Sequence, residues 1–250
     1  MSGGKKRVEK LNNAQRIADF FAAWTPDSAY VIGYFAADGC MYKSRIGSYT
    51  ALGHYIEFTS VDEELIVLVR KLIRAENKIE TATQWRGDSY HRRIRYKLRL
   101  VNKRAFHSLE MLGFTPNKSL ELQFPNIPEA LLRHFVRGYL DGDGCVYAKD
   151  YKPPGGLTRK QLLMVQFTSG SPEFLKTLRN LLSLKAGMGP GSFIKRKPTH
   201  YALQYSKHDS NRLFSYMYPT SNIPCLTRKR LVFESSLVMQ KRPDRIVSSR

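Results

Sequence analysis

The sequence predicts an α+β protein made of two pseudo-symmetric copies of one unit, and three observations lead to this prediction. Residues 30–42 and 135–147 are nearly the same thirteen residues. Landmarks after each copy keep an offset close to 105 positions. Stretches of helical and of alternating periodicity then follow in the same order in both copies. The unit therefore has the order αββαββα and occurs twice.

The first helix of each unit is indicated by its end signals. Thr25 offers an N-cap with Pro26 at the first helical position, and residues 126–129 resemble a capping box. Both helices close on glycine, and Gly39 and Gly144 suit a left-handed C-terminal residue.

The later elements follow from periodicity. In the two copies respectively they are strands at 56–60 and 165–169, helices at 64–73 and 173–182, strands at 92–101 and 201–205, and helices around 106–112 and 213–217.

Two prolines near residues 120–128 mark the boundary between the copies. We predict an N-terminal extension at 1–24, a first half at 25–122, a second half at 123–237 and a basic C-terminal tail at 238–250. A short amphipathic helix is expected at 17–24.

The charge balance favours a polyanion partner. The 250 residues include 41 Lys and Arg against 21 Asp and Glu, a formal charge of +20. Nucleic acid is the leading partner, although ribosomal and membrane-surface proteins share such an excess. No apolar stretch approaches the roughly 20 residues of a spanning helix, and the Lys-rich N-terminus lacks an apolar signal region. We expect a soluble intracellular protein, cytoplasmic or organellar, that is not secreted and has no membrane partner.

Cysteine and histidine spacing excludes several site types. Cys40, Cys145 and Cys225 form no CxxC pair, so neither a disulfide framework nor a zinc site is indicated, and small core or strand positions are expected. The six histidines show no HxH or HExxH spacing, which argues against a His-metal nuclease.

Small residues predict where the two copies meet. Gly33 and Ala37 in one copy, and Gly138 and Gly142 in the other, are four residues apart and share a helix face. Such a face lets a partner helix approach at backbone distance, and the natural partner is the other copy. This packing would place the two helix C-termini side by side.

Asp38 and Asp143 end these helices, so the packing would bring their carboxylates together. A carboxylate at a helix C-terminus meets the negative end of the macrodipole, and a second carboxylate adds repulsion. Mg²⁺ held by one or two carboxylates, water and phosphate fits best, and Mn²⁺ or Ca²⁺ can substitute in binding. The backbone carbonyls of Gly39 or Ala37, and of Gly142, are further candidate ligands. Taken alone, either Asp-Gly could equally be a helix stop.

The segments VIGYFAADG at 31–39 and VRGYLDGDG at 136–144 resemble the motif of the LAGLIDADG homing endonucleases, in the single-chain form with two motifs. The likeness extends over about residues 25–237. It implies that the motif helices form the interface between two αββαββα halves and that two antiparallel sheets form a saddle over the DNA major groove. It also implies that Asp38 and Asp143 bind the catalytic metal.

The first acid of the motif differs between the copies. Ala36 replaces it in the first motif, and the second motif keeps it as Asp141. In the family this position does not bind the metal, so the resemblance still implies an active enzyme.

The resemblance places further residues near each cleavage centre. Lys118 and Lys229, the latter replaceable by Arg228, are the candidates for the basic residue that stabilises developing charge. A lysine in such a loop is a solvated surface charge about as often as it is a functional residue. Polar residues that order water are expected at the ends of the second strands: Glu57, Gln166, Ser60 and Ser169.

Recognition would come from the strands. Arg93, Arg95, Lys97 and Arg99 alternate with apolar residues, which gives one cationic face and one face that packs on helices. A two-stranded ribbon can enter the major groove, where Arg reads guanine and Gln reads adenine. The other candidates for DNA contact are Lys43, Arg45, Lys149, Lys195, Arg196, Lys197 and Gln204. A solvated outer face would show the same alternation.

The resemblance implies a monomeric site-specific endonuclease that hydrolyses both strands of duplex DNA at a long asymmetric target, in intron homing. A start at Met1 favours an intron-encoded or independent gene over an intein insertion. Three alternatives stay open: an RNA maturase that assists intron splicing and binds intron RNA, a DNA-binding regulator that has lost cleavage, and a basic RNA-binding protein without this fold.

Overall fold

A computed structural model describes residues 12–45, 52–85, 92–116, 120–151 and 160–240. Its first half has the elements α2 (Pro26–Asp38), β1 (Cys40–Arg45), β2 (Leu52–Ser60), α3 (Glu63–Ile73), β3 (Ile79–Trp85), β4 (Arg92–Val101) and α4 (Lys103–Met111). Its second half repeats them as α5 (Leu132–Asp143), β5 (Cys145–Tyr151), β6 (Lys160–Ser169), α6 (Pro172–Ala186), β7 (Ser192–Lys197), β8 (His200–Tyr205) and α7 (Lys207–Met217). Helices α1 (Asn13–Ala22) and α8 (Thr227–Gln240) flank the two units. The predicted α+β fold with two αββαββα halves is confirmed.

Each half contains one antiparallel sheet of four strands, in the orders β1-β2-β4-β3 and β5-β6-β8-β7. The register separates two faces. Phe58 lies opposite Leu98 and both are fully buried against the helices, whereas the neighbouring pair Glu57 and Arg99 points to the other face. Apolar residues of the inner faces and of the helices of both halves form one continuous core.

The motif helices α2 and α5 touch at backbone distance. A Cβ built on Gly33 would lie 2.1 Å from the carbonyl oxygen of Phe135, and one built on Gly138 would lie 1.9 Å from that of Tyr30. Only glycine permits this approach. The motif helices therefore form the interface between the halves, as predicted.

The start of α2 agrees with its sequence signal, and the start of α5 does not. Thr25 and Ser28 form a reciprocal capping box at α2. The capping box predicted at 126–129 is wrong, because a 3₁₀ turn spans Glu129–Leu131 and no side chain caps α5. The carboxylate of Glu129 lies 2.6 Å from the ammonium group of Lys185.

The conformation predicted for the terminal glycines is also wrong. Gly39 has φ −75° and ψ 150°, and Gly144 has φ −82° and ψ 155°, so both are extended. The chain passes directly from each helix into a strand, which requires extended backbone at this point. Glycine is still needed, because a Cβ would lie 2.1 Å from the ring of Phe35 or 2.4 Å from the carbonyl oxygen of Leu140.

Helix α1 contains the predicted short amphipathic helix and begins earlier, at Asn13. It buries Ile17 and Phe21, and Asn102 donates a hydrogen bond to its Ala14 carbonyl at 2.7 Å. The N-terminal segment thus packs onto the first half. The limits assigned to the halves and tails stay a prediction. In the described part of the chain, no helix has the length and apolar character needed to cross a bilayer.

Candidate active site and nucleic-acid face

Asp38 and Asp143 are the last residues of α2 and α5, and both are exposed. The helices are in contact up to this end. A Cβ built on Gly142 would lie 2.5 Å from the Cβ of Ala37 and 3.5 Å from Oδ2 of Asp38. The carboxylate of the first helix therefore reaches across to the second.

Two equivalent tyrosines tie the motif helices to the sheets at the same level. The hydroxyl groups of Tyr34 and Tyr139 donate to the carbonyls of Thr59 and Thr168, each at 2.7 Å. Burial raises the pKa of both tyrosines, and both Asp38 and Asp143 raise it further. The negative charges of both carboxylates therefore act on the hydroxyl group of each tyrosine. Tyrosine occurs at the same position of both motifs, a sequence signal from which no role was predicted.

Lys229 compensates the negative end of α5. The residue is 4% exposed, and the three N–H groups of its ammonium are shared among the carbonyls of Leu140 at 2.6 Å, Asp141 at 2.8 Å, Gly142 at 3.1 Å and Gly144 at 2.7 Å. Burial lowers the pKa of Lys229 to about 8. This side chain acts as a C-terminal cap, and one of its acceptors is the Gly142 carbonyl that the sequence suggested as a metal ligand.

Arg228 is the exposed basic residue next to Lys229. Its guanidinium group forms a two-point pair with Asp62 at the start of α3, with N–O distances of 2.8 and 2.7 Å. These hydrogen bonds hold the pKa of Asp62 below its usual value. The pair joins the two halves beside the motif ends, and no sequence signal connects residues so far apart. Lys118, the candidate in the first half, lies outside the described residues.

A family profile described as a LAGLIDADG-like domain matches residues 25–110 and again residues 130–216. The chain belongs to the LAGLIDADG family. Each match covers one of the two repeated units.

Solved structures of similar architecture agree with this assignment. The homing endonuclease I-WcaI bound to its DNA recognition sequence is 14% identical, with a TM-score of 0.56 and coverage of 90% of this chain and 95% of that one. The LAGLIDADG homing endonuclease I-LtrWI bound to target DNA is 11% identical, with a TM-score of 0.55 and coverage of 89% and 90%. I-SmaMI bound to an uncleaved DNA target in the presence of calcium ions is 14% identical, with a TM-score of 0.53 and coverage of 87% and 92%. No curated protein sequence matches the chain.

The LAGLIDADG motif ends suit a hard cation that keeps part of its own hydration. Among the described residues, no group of three or more His, Cys, Asp or Glu side chains is arranged to hold a metal ion. The donors that meet here are the two exposed carboxylates, because the Lys229 ammonium already binds the carbonyl of Gly142. Mg²⁺ commonly binds through one or two carboxylates, with water and phosphate oxygens as its other ligands, so this donor set fits it.

The residues predicted to order water fall into two groups. The hydroxyls of Ser60 and Ser169 accept hydrogen bonds from the backbone of Asp62 and Ser171, at 3.0 and 3.1 Å, and so shape the turns into α3 and α6. Glu57 and Gln166 lie on the outer sheet faces, nearly buried. They pair in the sheet with Cys40 and Cys145, the residues that follow the motif glycines.

The outer face of the first sheet carries the cationic strand β4. Arg95, Lys97 and Arg99 lie on this face, and Glu57 accepts from Arg99 at 2.7 Å and lies 3.5 Å from Lys97. Arg93 also belongs to β4, but its side chain falls outside the described residues.

Lys43 and Arg45 were predicted to contact DNA, but they do not lie on the outer face. They alternate in phase with Met41, which is buried against the helices, so they lie on the inner side of β1. The ammonium group of Lys43 lies 3.3 Å from Glu110 of α4 and over the ring of Phe106. This placement turns them away from the outer face, because the strand period of two puts odd and even positions on opposite sides.

The outer face of the second sheet is less charged. Lys149 and Gln204 lie on it, in register with Leu162 and Gln166. Arg196 reaches the same face and donates to Gln166 at 2.7 Å. Lys195, predicted to contact DNA, lies instead on the inner side, because its partner Tyr201 alternates in phase with the buried Leu203 and Tyr205, and its ammonium group lies over the Tyr201 ring. A register irregularity at 195–197 precedes Lys197. The two halves thus present different side chains.

Proposed function

We propose that this protein is a metal-dependent, site-specific endonuclease that hydrolyses both strands of duplex DNA. The observation that carries the proposal is the meeting of Asp38 and Asp143 at the adjoining ends of α2 and α5. Membership of the LAGLIDADG family supports it, and similar structures are named as homing endonucleases bound to DNA.

The outer sheet faces are the proposed DNA-binding surface. Arg95, Lys97 and Arg99 supply cations for phosphates and guanine edges, and Gln204 supplies an amide suited to adenine. Because the two sheets differ in charge and in side chains, the target is asymmetric. One chain provides both halves, so the enzyme acts as a monomer, inside the cell where its DNA lies.

The carboxylates and the basic residues at the motif ends have different roles in the proposed hydrolysis. Asp38 and Asp143 would hold Mg²⁺, which when bound would supply a more acidic water and neutralise charge on the scissile phosphates. Lys229 holds the carbonyls at the end of α5 and keeps Asp143 in place. Arg228, whose side chain remains partly exposed, is the cation that we propose turns towards a phosphate, and Lys118 is its proposed counterpart in the first half.

The test is cutting of a randomised duplex library in Mg²⁺ by the wild type, followed by Asp38→Asn and Asp143→Asn on the recovered target. Each substitution keeps size and removes the charge. We expect a loss of double-strand cutting on the order of 1000-fold. Affinity should change less than about threefold, because phosphate contacts dominate it. Asp27→Asn, at the exposed opposite end of α2, is the matched control.

The outcomes separate the candidate functions. Wild-type cutting by either motif variant would refute the metal assignment. Tight, salt-sensitive DNA binding by a wild type that does not cut would indicate a regulator, and rescue of intron splicing would indicate a maturase.

A further inference from the structure

The second motif helix carries a buried carboxylate that the proposed chemistry does not use. Asp141 is 2% exposed. Its Oδ2 accepts a hydrogen bond from the Tyr30 hydroxyl at 2.7 Å and another from the Leu226 backbone N–H at 2.8 Å. Its Oδ1 is buried without a hydrogen-bond partner in the described part of the chain. Burying a carboxylate lowers the stability of the fold unless its hydrogen bonds compensate, so a role for these two bonds is expected.

The two bonds connect three separate segments. Tyr30 belongs to the motif helix of the first half, Asp141 to that of the second half, and Leu226 directly precedes α8. The carbonyl of Leu226 accepts from the backbone N–H groups of Lys229 and Arg230, at 3.1 and 3.3 Å, in the first turn of α8. Asp141 therefore fixes Leu226, the residue whose carbonyl begins the hydrogen bonding of α8.

A buried cation one helical turn away holds the approach to the same point. Arg137 is fully buried and donates to the carbonyls of Met217 at 2.8 Å and Pro224 at 2.7 Å. These carbonyls bracket the segment that leads from α7 to α8. Both ends of the segment are thus attached to α5 by buried, charge-assisted hydrogen bonds.

The position of α8 decides where its first basic residues lie. Lys229 reaches the carbonyls at the end of α5, including that of Gly142 beside Asp143. Because these contacts are short, a shift of α8 would lengthen them. In the first motif the aligned residue is Ala36, whose side chain cannot form hydrogen bonds. The arrangement is therefore a property of the second half.

We propose that Asp141 is a positioning residue. Together with Tyr30 it fixes the Leu226 peptide and the start of α8, and so keeps Lys229 on the helix end that presents Asp143. The consequence for DNA strand cutting rests on the proposed function. The consequence for the order of α8 does not.

The test uses the full chain with Asp141→Ala, which removes the oxygen that accepts both bonds, and Asp141→Asn, whose amide oxygen can accept the same two bonds. Amide hydrogen exchange at 226–230 is measured without DNA, and single-turnover cutting is followed on each labelled strand separately. For Asp141→Ala we expect exchange at 226–230 to rise about tenfold and one strand to be cut about 100-fold more slowly, with less than about threefold change on the other. Asp141→Asn should restore most of both.

The matched control is Asp209→Ala. Asp209 also accepts a backbone hydrogen bond in the second half, from Gly189 at 3.1 Å, but it does not touch α8. It should change neither the exchange at 226–230 nor the ratio of the two strand rates. If Asp141→Ala does not fold, Tyr30→Phe removes one of the two bonds without changing the shape of the core and should shift both measurements in the same direction, by about threefold.

Two results would overturn the proposal: unchanged exchange at 226–230 in Asp141→Ala, or equal slowing of both strands. If the wild type cuts neither strand, the proposed endonuclease function fails, and the exchange measurement alone still decides whether Asp141 positions α8.

Discussion

At the scale of single residues, buried cations on backbone carbonyls recur around the second motif helix. Lys229 caps the end of α5, and Arg137 holds the segment before α8. The sequence marked Lys229 as a basic residue of the centre, but periodicity does not reveal whether a lysine is buried. Arg137 drew no prediction, because an arginine within a helix usually lies on the solvent side.

The same cluster predicts a pH dependence of stability. Nδ1 of His134 lies 2.9 Å from a guanidinium nitrogen of Arg137, so it must be the unprotonated acceptor. Burial, then Arg137 and Arg133, lower the pKa of His134 from 6.5 to about 4. Between these values the unfolded chain binds more protons than the folded one, so the free energy of unfolding falls as pH falls, by about 1–3 kcal/mol.

Urea unfolding at several pH values between 4 and 7 measures this effect. His134→Asn keeps an acceptor that does not titrate, and it should flatten the pH dependence. His208→Asn, at an exposed histidine, should leave it unchanged. An unaltered slope in His134→Asn would contradict the assignment.

At the scale of elements, periodicity located the helices and strands well, and the ends were less predictable. The strand predicted at 92–101 is β4, and the helix at 64–73 coincides almost entirely with α3. The errors at the start of α5 and at Gly39 and Gly144 share a cause. In each case the neighbouring chain path overrides the local end signal: a 3₁₀ turn at Glu129–Leu131 leads into α5, and a strand starts directly after each terminal glycine.

The contact between α2 and α5 gives the element-scale prediction. Gly33→Ala and Gly138→Ala each place a methyl group within 2.1 Å of a backbone oxygen of the other helix. The helices must move apart, and we expect each change to lower the free energy of unfolding by about 1–3 kcal/mol. Urea unfolding measures it. Ser183→Ala, at an exposed helix position, should be neutral or slightly stabilising. Wild-type stability in both glycine variants would rule out the close packing.

At the scale of the whole molecule, the two sheets differ in the charge of their outer faces, and the pair of carboxylates belongs to the helices between the halves. The net charge of +20 predicts DNA affinity that falls steeply with salt. The distribution of the charge matters as much as its sum, because cations on the inner side of a sheet are engaged by helices, as Lys43 is by Glu110.

Arg95 and Lys43 therefore form a matched pair for a binding test. Arg95→Ala on the outer face should weaken binding to the recovered target by about 1–3 kcal/mol, whereas Lys43→Ala on the inner face should cost less than about 0.5 kcal/mol. Affinity is measured by titration at several salt concentrations. Equal losses for the two variants would contradict the outer face as the binding surface.

The sequence by itself determined the repeated unit, the helix interface and the pair Asp38 and Asp143, because these depend on local periodicity and on small residues recurring at fixed spacing. The cationic face of β4 followed from the strand period of two. Only the tertiary structure decided which charged side chains form ion pairs or buried hydrogen bonds. The pairing of Arg228 with Asp62, the capping by Lys229 and the bonds of Asp141 join residues tens of positions apart. Burial and partner choice at such separations depend on how the two halves pack, which no local pattern encodes.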